Sequence, residues 1–170
     1  MAETISGYAV RFGEIAVIGG AFRERINRQA FDRTLRDRPD VVALIGHDWG
    51  RVLGRTKSGT LRLRTDRIGL YFNLDADPTT PSGQEALGTV GRGDVQGCSF
   101  GFAVRAEEWL DDGEDLPLRT ITDVDLYEVS LTALPAYDTT SAVLGRSQDN
   151  AAAARRRVAE AAMRRRGIRV

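Results

Sequence analysis

Ser99 lies in the stretch "VQGCSFGFAV", where Gly97-Cys98-Ser99-Phe100-Gly101 matches the Gly-x-Ser-x-Gly pattern around the nucleophile of α/β-hydrolases. A serine hydroxyl becomes a useful nucleophile when a proton acceptor lies beside it, and histidine is the usual acceptor because its pKa is near neutrality. The chain has one histidine, His47, directly after the apolar stretch "VVALIG". The sequence therefore offers one Ser–His pair that could carry out acyl-transfer chemistry.

The chain order of these residues argues against an α/β-hydrolase. In that fold the order is Ser, then acid, then His, but no histidine follows Ser99 and the alternating βα pattern is absent. The order His, Asp, Ser of the two-barrel serine proteases could be met by His47 and Ser99. The chain is short for two barrels, however, and it lacks Gly-Asp-Ser-Gly-Gly. We therefore interpret the Gly-x-Ser-x-Gly match as coincidental.

The strand predicted over Val95 to Val104 has two unlike faces, because alternate side chains of a strand share a face. One face is apolar and holds Cys98, Phe100, Phe102 and Val104. The other face has small side chains and holds Ser99, Gly101 and Ala103. The core should cover the apolar face, so Ser99 is predicted to point to an open surface. Cys98 should point inward, where a buried thiol is a poor nucleophile.

A third polar group is predicted within Leu118 to Leu134, which reads as one long strand or two. Tyr127, Val129 and Leu131 are predicted to face the core, and Glu128, Ser130 and Thr132 the other side. If this strand neighbours the strand of Ser99, Glu128 could orient the imidazole of His47, as the acid of a triad does. Three other carboxylates are alternatives for this role: Asp48, Asp123 and Asp125.

The elements that must position these residues are mostly strands. Strands are predicted at Gly7–Phe12 and Val41–Ile45, with a meander over residues 51–77. Helices are predicted at Ala30–Arg36 and Ser82–Val90, and helical spacing extends back to Phe22 and Ile26. With a third helix in the tail, this pattern predicts an α+β, mostly β fold whose strands form a barrel or bent sheet rather than a doubly wound sheet.

The charge is unevenly distributed although the net charge is zero. Residues 151–170 hold seven arginines and one glutamate, which leaves 17 basic and 23 acidic residues in 1–150. The tail is predicted to be helical or disordered, and an acidic body argues against sequence-specific nucleic-acid binding. A single cysteine, no bilayer-length apolar run and no signal-peptide layout at the start favour a cytoplasmic protein without membrane attachment.

The combination of "GH" after an apolar strand, "GCSFGF" and "LYEVSLTALPAY" resembles the prohead (capsid maturation) serine proteases of tailed bacteriophages and prophages. The supporting segments are "GYAVRFGE", "AFDRTL", "VLGRT" and "DRIGLYFNLDAD". The resemblance covers about Ile5 to Ser141 and implies a fold similar to that of the herpesvirus maturation protease, a β-barrel surrounded by helices. We assign residues 1–144 to this domain and residues 145–170 to a linker and the Ala/Arg-rich tail.

The resemblance implies a serine endopeptidase that needs no metal or cofactor. His47 matches the family's histidine, Ser99 its nucleophile and Glu128 the acidic position of the third motif; the herpesvirus relatives use a second histidine, which this chain lacks. The implied substrates are scaffold protein or the major capsid protein, and the chain itself. The implied location is inside the procapsid, in the host bacterial cytoplasm, and the sequence allows a homo-oligomer.

Two alternatives stay open at the level of sequence. Ser–Lys dyads exist, and Lys57 is the only lysine, although a solvated ammonium in the turn Lys57-Ser58-Gly59 would be a poor base. The chain could also be a catalytically silent scaffold or capsid-assembly module with the same fold. The tail could be an interaction arm for scaffold or capsid protein, or a segment removed by self-cleavage.

Overall fold

The computed structural model describes residues 3–37 and 40–146, which form ten strands and two helices. In chain order the elements are β1 (Glu3–Arg11), β2 (Ala16–Ile18), β3 (Phe22–Ile26), α1 (Asp32–Arg36), β4 (Val42–Ile45), β5 (Asp48–Arg55), β6 (Leu61–Thr65), β7 (Gly69–Ala76), α2 (Pro81–Arg92), β8 (Gly97–Leu110), β9 (Leu118–Thr132) and β10 (Val143–Arg146). The mostly β composition predicted from the sequence is confirmed. The predicted character of the tail lies outside the described residues, since β10 ends at Arg146.

The strands form two open sheets, so the prediction of one barrel-like sheet was wrong. One sheet has the order β10-β1-β7-β6, and the other has the order β2-β3-β9-β4-β5 with β8 also paired to β9. The meander predicted for residues 51–77 is divided between the two sheets, since β5 lies in one and β6 and β7 lie in the other. Over the described residues, β5 and β6 are therefore not paired strands that would help to close a barrel. The likeness to the herpesvirus protease stays a prediction.

Strand β9 organises the sheet that holds the polar residues of interest. Parallel strands β3 and β4 lie along it at different ends, where Ile26 is opposite Ile121 and Val42 is opposite Glu128. Antiparallel β8 pairs with it from Gly97 to Leu110. Residues 107–110 take part in this pairing and form the end of β8. The long β8–β9 ladder brings the Ser99 and Glu128 regions together.

The segment Phe22–Ile26 is strand β3, so the helical spacing predicted from Phe22 through Ile26 was misleading there. The same residues also fit a period of two, with Glu24 and Ile26 buried, and pairing with β9 selects the strand. The two helices agree with prediction to within two residues at each end. Thr80 caps α2 by accepting a hydrogen bond from the Gly83 N–H at 3.0 Å.

The apolar face predicted for β8 packs into the core. Phe100 is 6% exposed, with its ring against those of Phe31, Phe102 and Tyr137 at centroid distances of 5.8, 4.7 and 6.1 Å. Burying aromatic rings in this way contributes strongly to a core and fixes the orientation of the strand. The opposite face of β8, which carries Ser99, is thereby turned away from this core.

Candidate active site

His47 occupies a tight turn between β4 and β5. Ile45 pairs with Asp48, and the two intervening residues, Gly46 and His47, have φ angles of 58° and 62°. Positive φ at both central positions is the pattern of a type I′ hairpin turn. Histidine is among the non-glycine residues enriched in this left-handed region, although the conformation still carries some strain. The turn places His47 at the end of the hairpin, with its side chain 48% exposed.

The imidazole of His47 is bound to a buried carboxylate. Its Nδ1 lies 2.5 Å from Oε1 of Glu128, a residue that is 3% exposed. The other carboxylate oxygen, Oε2, accepts a hydrogen bond of 2.6 Å from the hydroxyl of Ser130. A buried carboxylate is costly unless donors satisfy it, and here each oxygen has one. With Glu128 as acceptor, Nδ1 carries the proton of a neutral ring, so Nε2 is the nitrogen left to act as a base.

Ser99 lies on the same face of the sheet as this pair. In the β8–β9 ladder Ser99 is opposite Ser130 and Gly101 is opposite Glu128, and residues that face each other across a ladder share a face. Ser99 is half-buried and stands one diagonal step from Glu128, a backbone separation of about 7–8 Å in such ladders. Ser99 and Glu128, the partner of the His47 ring, therefore lie on one face of the sheet, as alternation predicts.

Gly101 leaves the space that the Glu128 carboxylate fills. A Cβ at position 101 would overlap Oε1 of Glu128 and would lie 2.9 Å from its Cγ and 3.0 Å from its Cδ. Real Cβ atoms do not approach other atoms so closely, so any side chain here would displace the carboxylate. The sequence marked Gly101 as part of a small face. That the glycine serves Glu128 follows only from the pairing of β8 with β9.

The other candidate acids are bound elsewhere. Both oxygens of Asp123 accept from Nε of Arg33, at 2.9 and 3.1 Å, and Asp125 accepts from Nη2 of the same arginine at 2.6 Å. Asp48 Oδ1 accepts from the backbone N–H of Gly50 at 2.8 Å, which stabilises the start of β5. Of the four carboxylates considered, Glu128 is the one in contact with His47.

Lys57, the alternative base, lies in the exposed turn between β5 and β6. Its backbone N–H donates to the carboxylate of Asp40, which helps to hold the pKa of Asp40 below its usual value, after the larger contribution of Arg55. Lys57 lines a cavity of about 590 Å³ together with Leu35, Val41 and Leu61. Lys57 is exposed to solvent, and none of the residues that line this cavity belongs to the strand face that carries Ser99.

Tyr127 does not face the core as predicted, since it is 47% exposed. The register explains the difference: Gly101 pairs with Glu128, but the next residue, Phe102, pairs with Leu126. Tyr127 is therefore the extra residue of a β-bulge, which interrupts alternation on one strand. Because the bulge lies before Glu128, the alternation of Glu128 and Ser130 with Val129 and Leu131 is retained.

Cys98 points into the core, as predicted. It is 1% exposed, and burial together with the negative charge of Glu128 raises the pKa of its thiol well above the ordinary value. A thiol in this state is protonated at neutral pH and is a poor nucleophile. Its neighbour Ser99, on the opposite face, is the accessible nucleophile candidate of this pair.

Two searches of the described part of the chain bear on other kinds of site. Among residues 3–37 and 40–146, no three His, Cys, Asp or Glu side chains are grouped so that they could hold a metal ion. In the same residues, neither helix has the length and apolar character needed to cross a bilayer.

A comparison with models of known protein families identifies a match. A family model described as caudovirus prohead serine protease matches residues 1–154 of the 170-residue chain. The matched range contains His47, Ser99 and Glu128 and all of the residues that the structure describes. No curated protein matches the chain.

Proposed function

Because the chain belongs to the family of caudovirus prohead serine proteases, we propose that it is an endopeptidase that cleaves scaffold or major capsid protein during prohead maturation. Membership of this family supports a protease role in capsid maturation. For the chain's own residues, the proposal is carried by the contact between His47 and Glu128 on the face of the sheet that bears Ser99. A serine nucleophile requires an adjacent base and an acid that orients this base, and His47 and Glu128 are the proposed pair.

In the first half of the proposed reaction, Ser99 Oγ attacks the carbonyl carbon of the scissile bond and His47 Nε2 takes the hydroxyl proton. A tetrahedral intermediate forms, and its negative oxygen is expected to be stabilised by backbone N–H donors. The carboxylate of Glu128 keeps the ring oriented through Nδ1 and stabilises the imidazolium that the transfer creates.

In the second half, His47 gives the proton from Nε2 to the leaving amine, and the C–N bond breaks to leave an acyl-enzyme on Ser99. Water then attacks the acyl carbon while His47 takes one of its protons. That proton returns to Ser99 Oγ as the ester bond breaks, so the enzyme is regenerated and the net change is hydrolysis of one peptide bond.

The proposed setting is the interior of the procapsid in the host bacterial cytoplasm. We expect scaffold and capsid polypeptides, and other copies of the chain, to be the substrates within reach of the enzyme there. Self-cleavage is part of the proposal because the same peptide-bond chemistry applies to the chain itself.

The experiment compares the unsubstituted chain with Ser99→Ala by intact mass spectrometry after incubation, alone and with procapsids of scaffold and capsid protein. The expected result is cleavage at discrete sites with the unsubstituted chain and none with Ser99→Ala. Ser58→Ala, which removes a hydroxyl from the exposed turn between β5 and β6, is the matched control and should cleave normally. A fluorophosphonate should add its mass once to the unsubstituted chain and not to Ser99→Ala.

Equal cleavage by the unsubstituted chain and Ser99→Ala would overturn the assignment of Ser99. A complete lack of cleavage and of fluorophosphonate labelling, in the presence of procapsids, would refute the enzymatic proposal. The chain would then act as a silent assembly module with the fold of the family.

A further inference from the structure

Ser130 forms hydrogen bonds with both His47 and Glu128. Its side chain is fully buried, and its hydroxyl donates to Glu128 Oε2 at 2.6 Å while it accepts from the backbone N–H of His47 at 3.0 Å. Both contacts are made at atoms that the chemistry does not use. The carboxylate oxygen is the one that does not contact the imidazole, and the backbone N–H belongs to the turn.

The contact to the backbone bears on the strained turn. His47 has a φ of 62°, and such conformations persist where the surroundings determine them. Two backbone N–H groups of this turn donate to β9: that of His47 to Ser130 Oγ, and that of Gly46 to the carbonyl oxygen of Leu131 at 3.0 Å. Without the hydroxyl, one of these attachments is lost and a backbone N–H loses its acceptor.

The hydrogen bond from Ser130 to Glu128 orients the carboxylate group. Glu128 has three side-chain torsions, and Gly101 leaves it room on the side facing β8. The hydroxyl of Ser130 fixes Oε2, which leaves Oε1 aimed at Nδ1 of His47. One hydroxyl therefore restrains both partners of the His47–Glu128 contact.

We propose that Ser130 is a positioning residue, whose hydroxyl sets the carboxylate of Glu128 and the turn of His47 in the geometry that proton transfer from Ser99 requires. The inference rests on the proposed peptidase function, but its geometric part can be measured separately. Small displacements of catalytic groups have large effects on rate, and a loss of about 10- to 100-fold is expected without the hydroxyl.

The test uses three variants of the full chain. Ser130→Ala removes the hydroxyl, Ser130→Thr keeps it, and Thr120→Val is the matched control. Thr120 is also buried on β9, but it lies near the other end of that strand, where β9 pairs with β3. Its hydroxyl accepts a hydrogen bond of 3.0 Å from Arg25 Nε. A purely structural role predicts that Ser130→Ala and Thr120→Val behave alike.

Two readouts are measured on each variant. The first is the rate of labelling of Ser99 by a fluorophosphonate. The second is the proton NMR resonance of the hydrogen-bonded Nδ1–H, which needs no separation from other imidazoles because His47 is the only histidine. Ser130→Ala should label about 10- to 100-fold more slowly and lose the sharp resonance through exchange with solvent. Ser130→Thr and Thr120→Val should retain both.

An unchanged rate and resonance in Ser130→Ala would overturn the inference. So would loss of both in a folded Ser130→Thr variant. If Ser130→Ala does not fold, Ser130→Cys takes its place, because a thiol is a weak donor of similar size and the same losses are expected. Absence of both labelling and cleavage with the unsubstituted chain would instead refute the proposed function, and the resonance would still report whether Ser130 positions His47.

Discussion

Nδ1 of His47 lies 2.5 Å from Oε1 of Glu128, although the two residues are 81 positions apart in the chain. The contact exists because β4 runs parallel beside β9, with Val42 opposite Glu128 and Leu44 opposite Ser130. The turn after β4 then brings His47 back over the face that bears Glu128. An exposed imidazole is thus held by a buried carboxylate whose other oxygen is already bound.

The first prediction concerns the charge on this carboxylate. Glu128→Gln keeps the shape of the side chain, but its amide can donate to Nδ1 and so favour the wrong tautomer of His47. We expect the rate of cleavage, or of fluorophosphonate labelling, to fall by about 10³- to 10⁴-fold, as in other triads that lose their acid. Asp123→Asn is the control and should keep its rate, since Asp123 pairs with Arg33. Equal losses in the two variants would contradict the assignment of Glu128.

The second prediction concerns the space beside the carboxylate. Gly101→Ala would place a methyl group against Glu128, 2.9 Å from its Cγ, and should push the carboxylate away from His47. We expect at least a tenfold slower labelling of Ser99, by the same sensitivity to displacement that applies to Ser130. The measurement compares labelling rates and thermal unfolding of the purified variants.

Gly88→Ala is the matched control for Gly101→Ala. Gly88 lies in α2, where an added Cβ would meet nothing within 4 Å. This substitution should stabilise the helix by about 0.5–1 kcal/mol and leave the labelling rate unchanged. A Gly101→Ala variant that labels as fast as Gly88→Ala would show that the carboxylate does not need this space.

The local sequence pattern was sufficient to predict which side chains share a face in β8 and in the part of β9 that carries Glu128. Alternation with apolar neighbours predicts polar or open faces for Ser99 and Glu128, and the packing of Phe100 and the burial of Val129 agree with this prediction. Alternation failed at Tyr127, since a bulge adds one residue to β9. No residue type in "DLYEVSL" marks that bulge, which is set by the register against β8.

Relationships between distant strands could not be read from the sequence. The pairing of β4 and β8 with β9 decides which of Asp48, Asp123, Asp125 and Glu128 meets His47, and it depends on tertiary packing. The open arrangement of the sheets was missed for the same reason. The role of Ser130 was also hidden, because a serine on the polar face of a strand is common and only its two hydrogen bonds distinguish it.

The third prediction separates the two candidate bases. His47→Ala should lose labelling of Ser99 almost entirely, by about 10³-fold or more, because no group is left to take the hydroxyl proton. Lys57→Ala should label at the unsubstituted rate, since Lys57 lies in an exposed turn whose backbone binds Asp40. Retention in His47→Ala together with loss in Lys57→Ala would reverse the assignment.

The fourth prediction concerns the dependence of stability on pH. Asp125 on β9 accepts hydrogen bonds from Arg105 Nε at 2.5 Å and from Arg33 Nη2 at 2.6 Å. These two arginines hold the pKa of its carboxyl below the ordinary value, and Arg105 makes the larger contribution. A carboxyl with a lowered folded-state pKa stabilises the protein above its unfolded pKa, about 3.9, and this contribution is lost as the pH falls through the folded-state value.

Asp125→Asn should therefore lower the free energy of unfolding at pH 7, and the difference from the unsubstituted chain should shrink as the pH falls below about 4. Urea unfolding at pH 7, 5 and 3 measures this difference. Asp111→Asn, in the exposed segment after β8, is the control and should change stability little at any of these pH values. A difference for Asp125→Asn that stays constant from pH 7 to pH 3 would mean that the substitution acts through packing of α1 against β9, and not through the charge of the carboxylate.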